Sequence, residues 1–212
     1  MGKKLVIYGA GDNGGLLAHN HALSKVFRDY ELVGFVDDEK KGRVQEFPIL
    51  GTGRDLVRLK AEGIDSIAVT LLGDSVRRLE LCLELERMGF EFPSIYPQDM
   101  PREIQIGKGV YMHDSVALLG YDQRIGDFSI VGPFVVIEGR TNIGRGVILR
   151  PYSFVGHCST IGEATAVGVR ASVMPDLTIG RRCVIGPHVL QRRDMKEGER
   201  NLRFYSGNSD NV

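Results

Sequence analysis

Residues 125–186 divide into hexads, IGDFSI VGPFVV IEGRTN IGRGVI LRPYSF VGHCST IGEATA VGVRAS VMPDLT IGRRCV IG, each opened by an aliphatic side chain. The series Ile125, Val131, Ile137, Ile143, Leu149, Val155, Ile161, Val167, Val173, Ile179 and Ile185 runs without a break. Glycine follows most of them, at Gly126, Gly132, Gly144, Gly156, Gly162, Gly168, Gly180 and Gly186. The residue two before the aliphatic is small or β-branched at Ser129, Thr141, Ser153, Ser159, Thr165 and Ala171. A period of six fits neither a helix nor an alternating strand. It predicts a parallel β-helix whose triangular coil takes three hexads, about 18 residues. The aliphatics should point inward and stack on their counterparts about 4.8 Å away in neighbouring coils.

The period extends upstream through Ile106, Met112 and Leu118 but slips by one residue within Gly120–Arg124, which reads as an extra residue at a corner. Downstream, the next inward slot is Gln191, and Arg192-Arg193-Asp194-Met195 should leave the helix. Tyr205–Val212 is polar and reads as a frayed tail.

The chain before Pro93 follows a different pattern. An apolar run over 3–9 ends in Gly9-Ala10-Gly11-Asp12-Asn13-Gly14, and an amphipathic stretch follows from Gly15 to about Phe27. A strand over Glu31–Val36 ends at Asp37-Asp38; a helix over Arg54–Glu62, a strand over Ser66–Leu71 and a helix over Val76–Met88 complete the series. Strands alternating with helices imply a parallel, doubly wound sheet. The expected organisation is therefore an α/β, Rossmann-like domain over 1–95, a left-handed parallel β-helix over 96–190 and a C-terminal extension over 191–212.

Composition excludes several classes. The chain has 212 residues, 42% apolar and 25% charged, enough to bury a core in each of two small domains. Lysine plus arginine equals aspartate plus glutamate, 27 each, so no global field favours nucleic acid or an anionic membrane. The N-terminal apolar run is too short for a signal peptide or membrane span, and the protein is read as cytoplasmic. Cys82, Cys158 and Cys183 are odd in number and lack CxxC spacing, so reduced thiols are expected and no metal.

Gly9-x-Gly11-x-x-Gly14, after a strand and before a helix, with Asp37 closing the next strand, has the context of a nucleotide site. The glycines admit close backbone approach, the helix N-terminus attracts phosphate, and the carboxylate suits a ribose hydroxyl. Gly9, Gly11, Asp12, Asn13, Gly14 and Asp37 are the candidate sugar-nucleotide contacts. Some 95 residues give half of a dinucleotide fold, which disfavours a complete nicotinamide site.

Taken together, the GxGxxG start, Val33-Gly34-Phe35-Val36-Asp37-Asp38, the Tyr96-Pro97 entry to the repeats and Ala171-Ser172-Val173-Met174-Pro175-Asp176-Leu177 resemble the sialic-acid O-acetyltransferase and bacillosamine N-acetyltransferase group, the NeuD/PglD-like family. The resemblance covers nearly the whole chain. It implies acyl transfer, acetyl in the first instance, from CoA to an amino or hydroxyl group of a nucleotide-linked sugar, in a homotrimer with active sites between subunits. It also implies that the first domain holds the nucleotide, that the last coils hold acetyl-CoA, and that a histidine beside a carboxylate is the base.

Three departures from that family stand out. Its glycine loop carries a histidine and a lysine where this chain has Asp12-Asn13-Gly14-Gly15. Laid on Val136-Ile137-Glu138-Gly139-Arg140-Thr141, the family phrase Val-(Ile/Val)-Glu-His-(Asp/Glu)-Cys puts the base on Gly139. A second family histidine, nine residues on, falls on Ile148.

His157 lies 18 residues beyond Gly139, at the same corner one coil away, and is the leading candidate for a relocated base. His113, before Asp114, is a weaker one, while His19 and His21 read as a solvated helix face. An amine that binds neutral needs no base if backbone N–H groups hold the oxyanion, and the corner glycines Gly156 and Gly168 are the candidate donors. Arg181 and Arg182, with Arg192 and Arg193, surround the last coil and suit the phosphates of CoA, with His188 lining its cleft. Two other readings remain open: a sugar-nucleotide-binding or scaffolding protein without catalysis, and a nicotinamide-dependent oxidoreductase resting on GxGxxG alone.

Overall fold

A computed structural model describes residues 2–23, 29–97, 100 and 103–202, with the side chains of 20–23 left aside. The chain divides into two compact units, Met1–Ile95 and Tyr96–Val212.

In the first unit, β1 (Lys3–Tyr8), α1 (Asp12–Leu23), β2 (Tyr30–Val36), β3 (Arg43–Val44), β4 (Phe47–Gly51), α2 (Leu56–Ala61), β5 (Ser66–Val69) and α3 (Ser75–Arg87) follow in order. The sheet runs β3-β4-β2-β1-β5. β1 pairs in parallel with β2 and β5, and β2 with β4, while β3 runs antiparallel to β4. Leu5, Val6 and Ile7 are fully buried because β1 is central and has both faces covered, which is why its sequence is a continuous apolar run.

Three details differ from the sequence reading. Helix α1 begins at Asp12, not Gly15, because the Gly15 N–H already donates to the Gly11 carbonyl; the end expected near Phe27 lies outside the described residues. The β3–β4 hairpin was not expected. Its strands are short, Pro48 sits on one of them, and the turn needs positive φ at Gln45. The helix expected over Arg54–Glu62 opens as a 3-10 turn, Gly53–Asp55, closed by a capping box between Thr52 and Asp55.

The second unit is the left-handed parallel β-helix. Its strands are two or three residues long and stack into three parallel sheets of six, five and five. Ile125 pairs with Ile143, Val131 with Leu149 and Ile137 with Val155, a repeat of 18 residues. The eleven sixth-position aliphatics are all at most 1% exposed and form one continuous core.

The structure also explains the small residues two places before each aliphatic. Ser129, Thr141, Ser159 and Thr165 are buried at the corners. The hydroxyls of Ser129, Ser159 and Thr165 donate to the Gly144, Met174 and Gly180 carbonyls of the next coil, and that of Thr141 donates to the Glu138 carbonyl of its own coil at 2.7 Å. The oxygens of Ser129, Ser159 and Thr165 accept the backbone N–H groups of Val147, Leu177 and Cys183 in return. Each corner is completed by a residue with positive φ, every sixth in turn, as at Phe128, Phe134, Arg140, Tyr152, Cys158, Ala164, Arg170, Asp176, Arg182 and His188. Left-handed backbone costs a non-glycine residue roughly 1–2 kcal/mol, so the ladder on either side holds these corners in place.

The slip near Gly120 is a one-residue insertion. Ile106, Met112 and Leu118 pair with Ile125, Val131 and Ile137 at a spacing of 19, which falls to 18 in the next coil. The expected exit after 190 is corrected. Gln191 is 1% exposed, its amide nitrogen donates to the Arg193 carbonyl, and its amide oxygen accepts from Asn201. Met195 then bridges to Ile179, and Arg200–Asn201 pairs with Val184–Ile185. A partial coil thus continues through Asn201, made possible because Gln191 finds partners for both ends of its amide. The predicted tail over Tyr205–Val212 lies outside the described residues.

Candidate functional site

In the first unit, the glycine loop joins β1 to α1. Gly9 has φ 109, and a β-carbon there would meet the Thr70 hydroxyl at 2.8 Å. At Gly14 a β-carbon would lie 1.9 Å from the Gly9 carbonyl oxygen. Both glycines are demanded by the fold. Gly11 is not: its β-carbon would meet nothing within 4 Å, and its backbone needs no left-handed conformation. Asp12 and Asn13 are exposed at the start of α1.

Asp37 ties this loop to the end of β2. Its Oδ2 accepts the Ala10 N–H at 2.7 Å, and its Oδ1 accepts those of Glu39 and Lys40. Burial raises the Asp37 pKa, but the backbone donors of Ala10, Lys40 and Glu39 together outweigh it and leave the carboxyl below its ordinary range. The carboxylate expected to meet a ribose is therefore already holding the loop. Lys40 places its ammonium 3.0 Å from the Ala10 carbonyl, a cation beside the glycine loop that sequence reading passed over. Asp38 accepts from the Tyr8 hydroxyl and the Gly53 N–H. Burial, with the Asp38 hydrogen bond behind it, pushes the Tyr8 phenol up.

In the second unit, the feature with chemical capacity is a corner. His157, Cys158 and Asp176 bring an imidazole nitrogen, a thiol and a carboxylate within 4.8 Å of one another; His157 and Asp176 are exposed and Cys158 half-buried. Cys158 and Asp176 hold the same left-handed corner position in consecutive coils, and the Asp176 N–H donates to the His157 carbonyl at 2.9 Å. The backbone N–H of His157 donates to Glu138 Oε2, also at 2.9 Å, from the coil before. The sequence reading named His157 but missed its carboxylate. Adding one coil length to Cys158 would have found Asp176.

The other predicted residues fall elsewhere. Gly156 and Gly168 present no free N–H to an oxyanion, because these groups donate to the carbonyls of Val173 and Ile185. Their β-carbons would strike the coil above at 2.5 Å, so glycine there serves stacking. Arg181 and Arg182 pair with Glu197, continuing a column of charge that includes Arg145 and Glu163. His188 is exposed on a different corner, in the column of Phe134, Tyr152 and Arg170. Phe134 and Tyr152 stack at 4.8 Å, and Arg170 lies over the Tyr152 ring. His113 accepts the Ser115 N–H at Nδ1 within its own turn. His19 is exposed on α1, and the side chain of His21 lies outside the described part.

Comparison with known proteins agrees with the architecture. Residues 4–85 match the PglD N-terminal domain. That match lies within the first unit and spans less than half of the chain. The NeuD/PglD-like resemblance of the sequence stands with it. Beyond this PglD-type domain, a His-to-Asn variant of perosamine N-acetyltransferase from Caulobacter crescentus, in complex with CoA and GDP-perosamine, is 23% identical. It superposes with a TM-score of 0.82 over 94% of this chain and 93% of that one. The acetyltransferase domain of PglB from Neisseria gonorrhoeae is 24% identical, with a TM-score of 0.83 over 93% of this chain and 95% of the other. At this identity the likeness establishes the fold. The bifunctional protein GlmU of Clostridium perfringens is 37% identical over 81 residues, 38% of this chain, and the match spans only 17% of that curated relative's length. Among the described residues no helix is long and apolar enough to cross a membrane.

Proposed function

We propose that the protein transfers an acetyl group from acetyl-CoA to the amino group of a nucleotide-linked sugar, with His157 as the base. The PglD-type domain holds the nucleotide at Gly9–Gly14, and the β-helix works as a cytoplasmic homotrimer. The observation that carries this reading is the proximity of a His157 ring nitrogen to an Asp176 carboxylate oxygen, within 4.8 Å at one β-helix corner. The similar perosamine enzyme, crystallised with CoA and GDP-perosamine, favours an amino sugar and a CoA thioester over the neutral-sugar alternative.

The missing family histidine has a simple account in this reading. Because the coil repeats every 18 residues, the family phrase can also be laid one coil on, over Phe154-Val155-Gly156-His157-Cys158-Ser159. There it matches Val155 and His157 but loses the Val136 and Glu138 matches of the first register. In the second register the histidine is His157 itself. Cys158 takes the place of the following carboxylate, and Asp176 supplies one from the next coil. The second family histidine then falls on Ala166, so one imidazole does the work.

Chemically, the sugar amine attacks the thioester carbonyl carbon while an imidazole nitrogen of His157 accepts the amine proton. The Asp176 carboxylate, within 4.8 Å, favours the resulting imidazolium by charge. Collapse of the tetrahedral intermediate breaks the C–S bond, and the departing thiolate of CoA recovers the proton from His157. Glu138 holds the backbone of His157 in register.

The test is thiol release from acetyl-CoA with GDP-, UDP- and dTDP-linked amino sugars. The expected result is release that requires the sugar, falls about 100-fold or more in His157→Ala, and falls less in Asp176→Asn. Release unaffected by His157→Ala overturns the assignment of the base. Saturable sugar-nucleotide binding with no release from any acceptor replaces the transferase with the binding protein.

A further inference from the structure

His157, Cys158 and Asp176 are three different donors, and their convergence follows from the fold. Neighbours in a strand point to opposite faces, but the left-handed corner at Cys158 turns its thiol toward the side on which His157 stands. The same corner one coil on carries Asp176, about one strand spacing away. The ladder fixes this stacking independently of the three side chains, since Phe154 pairs with Ser172 and Val155 with Val173.

We infer that this corner is a binding site for a borderline-soft divalent cation, Zn2+ above all, and that occupancy shuts off acetyl transfer by engaging the lone pair of His157. Zn2+ binds thiolate at about 2.3 Å and imidazole or carboxylate at about 2.0–2.2 Å, so ligand atoms in a tetrahedral site stand about 3.5 Å apart. The three donor atoms already lie within 4.8 Å of one another, and rotation of exposed side chains closes the difference. A nitrogen, sulfur and oxygen set selects Zn2+ or Co2+ over the hard ions Mg2+ and Ca2+. Three protein ligands leave the fourth position to water. Neither other thiol competes: Cys82 and Cys183 are buried, and burial pushes both up from the ordinary thiol range. The binding half of the inference stands alone; the inhibition half rests on His157 being the base.

The experiment uses the full chain with Zn2+ and Co2+ as probes, without substrate first. The expected result is one Zn2+ per chain by equilibrium dialysis, protection of one thiol from an alkylating reagent, and a Co2+ thiolate charge-transfer band. Cys158→Ser abolishes the band and weakens Zn2+ binding at least about tenfold, as does His157→Ala; Asp176→Asn weakens it less. No stoichiometric binding, or binding that survives Cys158→Ser, overturns the site. With acetyl-CoA and an amino-sugar nucleotide added, transfer falls in proportion to occupancy and returns with a chelator. Transfer that continues with the site filled overturns the inhibition. Stoichiometric binding in a protein that, freed of metal by a chelator, still transfers to no acceptor overturns the transferase and leaves the metal site standing.

Discussion

The buried hydroxyls of the β-helix differ in what they do, although the repeat writes them alike. Thr165 donates to the Gly180 carbonyl at 2.8 Å and accepts the Cys183 N–H at 3.0 Å, so it joins two coils through one atom. Ser153, equally buried, has no partner for its Oγ. Thr165→Ala orphans a buried N–H and a carbonyl and should destabilise the protein by about 1–3 kcal/mol, whereas Ser153→Ala removes an unpaired polar atom and should be neutral or slightly stabilising. Chemical denaturation of the two variants beside the parent checks the contrast. The hexad pattern showed in advance that small polar residues belong at these positions. It did not show which were bonded, because that depends on where the carbonyl of the next coil falls.

At the scale of elements, the glycine loop and β2 are held together by one carboxylate. Asp37 sits below its ordinary range in the folded state, so the stability it contributes is complete above the unfolded carboxylate range and is lost as pH falls through the lowered value. Amide exchange at Ala10, Glu39 and Lys40, whose N–H groups bond Asp37, should stay slow at neutral pH and accelerate by local opening in acid, beyond the intrinsic change with pH. In Asp37→Asn the loop should be looser at neutral pH and this extra acid response should shrink. The sequence placed Asp37 correctly at the end of its strand but did not show the backbone N–H groups that its oxygens accept, because spacing reveals proximity and not hydrogen bonding. The same holds for Gly156 and Gly168, whose N–H groups the ladder consumes. The β-helix elements were legible through their period, down to the inserted residue near Gly120. Its true end was not, since Gln191 breaks the aliphatic series while its amide, bonded to Arg193 and Asn201, carries the fold onward.

For the molecule as a whole, the proposed function divides labour: one unit recognises the nucleotide and the other performs the chemistry. Gly11 and His157 make that division testable, because neither is required for its own unit to fold. A β-carbon at Gly11 meets no protein atom, and His157 is exposed. If the glycine loop takes a pyrophosphate, a methyl group at Gly11 obstructs the ligand alone. Gly11→Ala should therefore leave thermal stability unchanged and raise KM for the sugar nucleotide about tenfold or more, with kcat little altered. Gly14→Ala, whose β-carbon would collide with the Gly9 carbonyl, should instead destabilise the first unit outright. His157→Ala should lower kcat and leave sugar-nucleotide affinity intact. The double variant Gly11→Ala/His157→Ala should combine the two losses additively in free energy, as expected of sites that share no partner. Strong non-additivity would mean that the loop and the base act on the substrate as one constellation, and the assignment of binding to one unit and chemistry to the other would have to be given up.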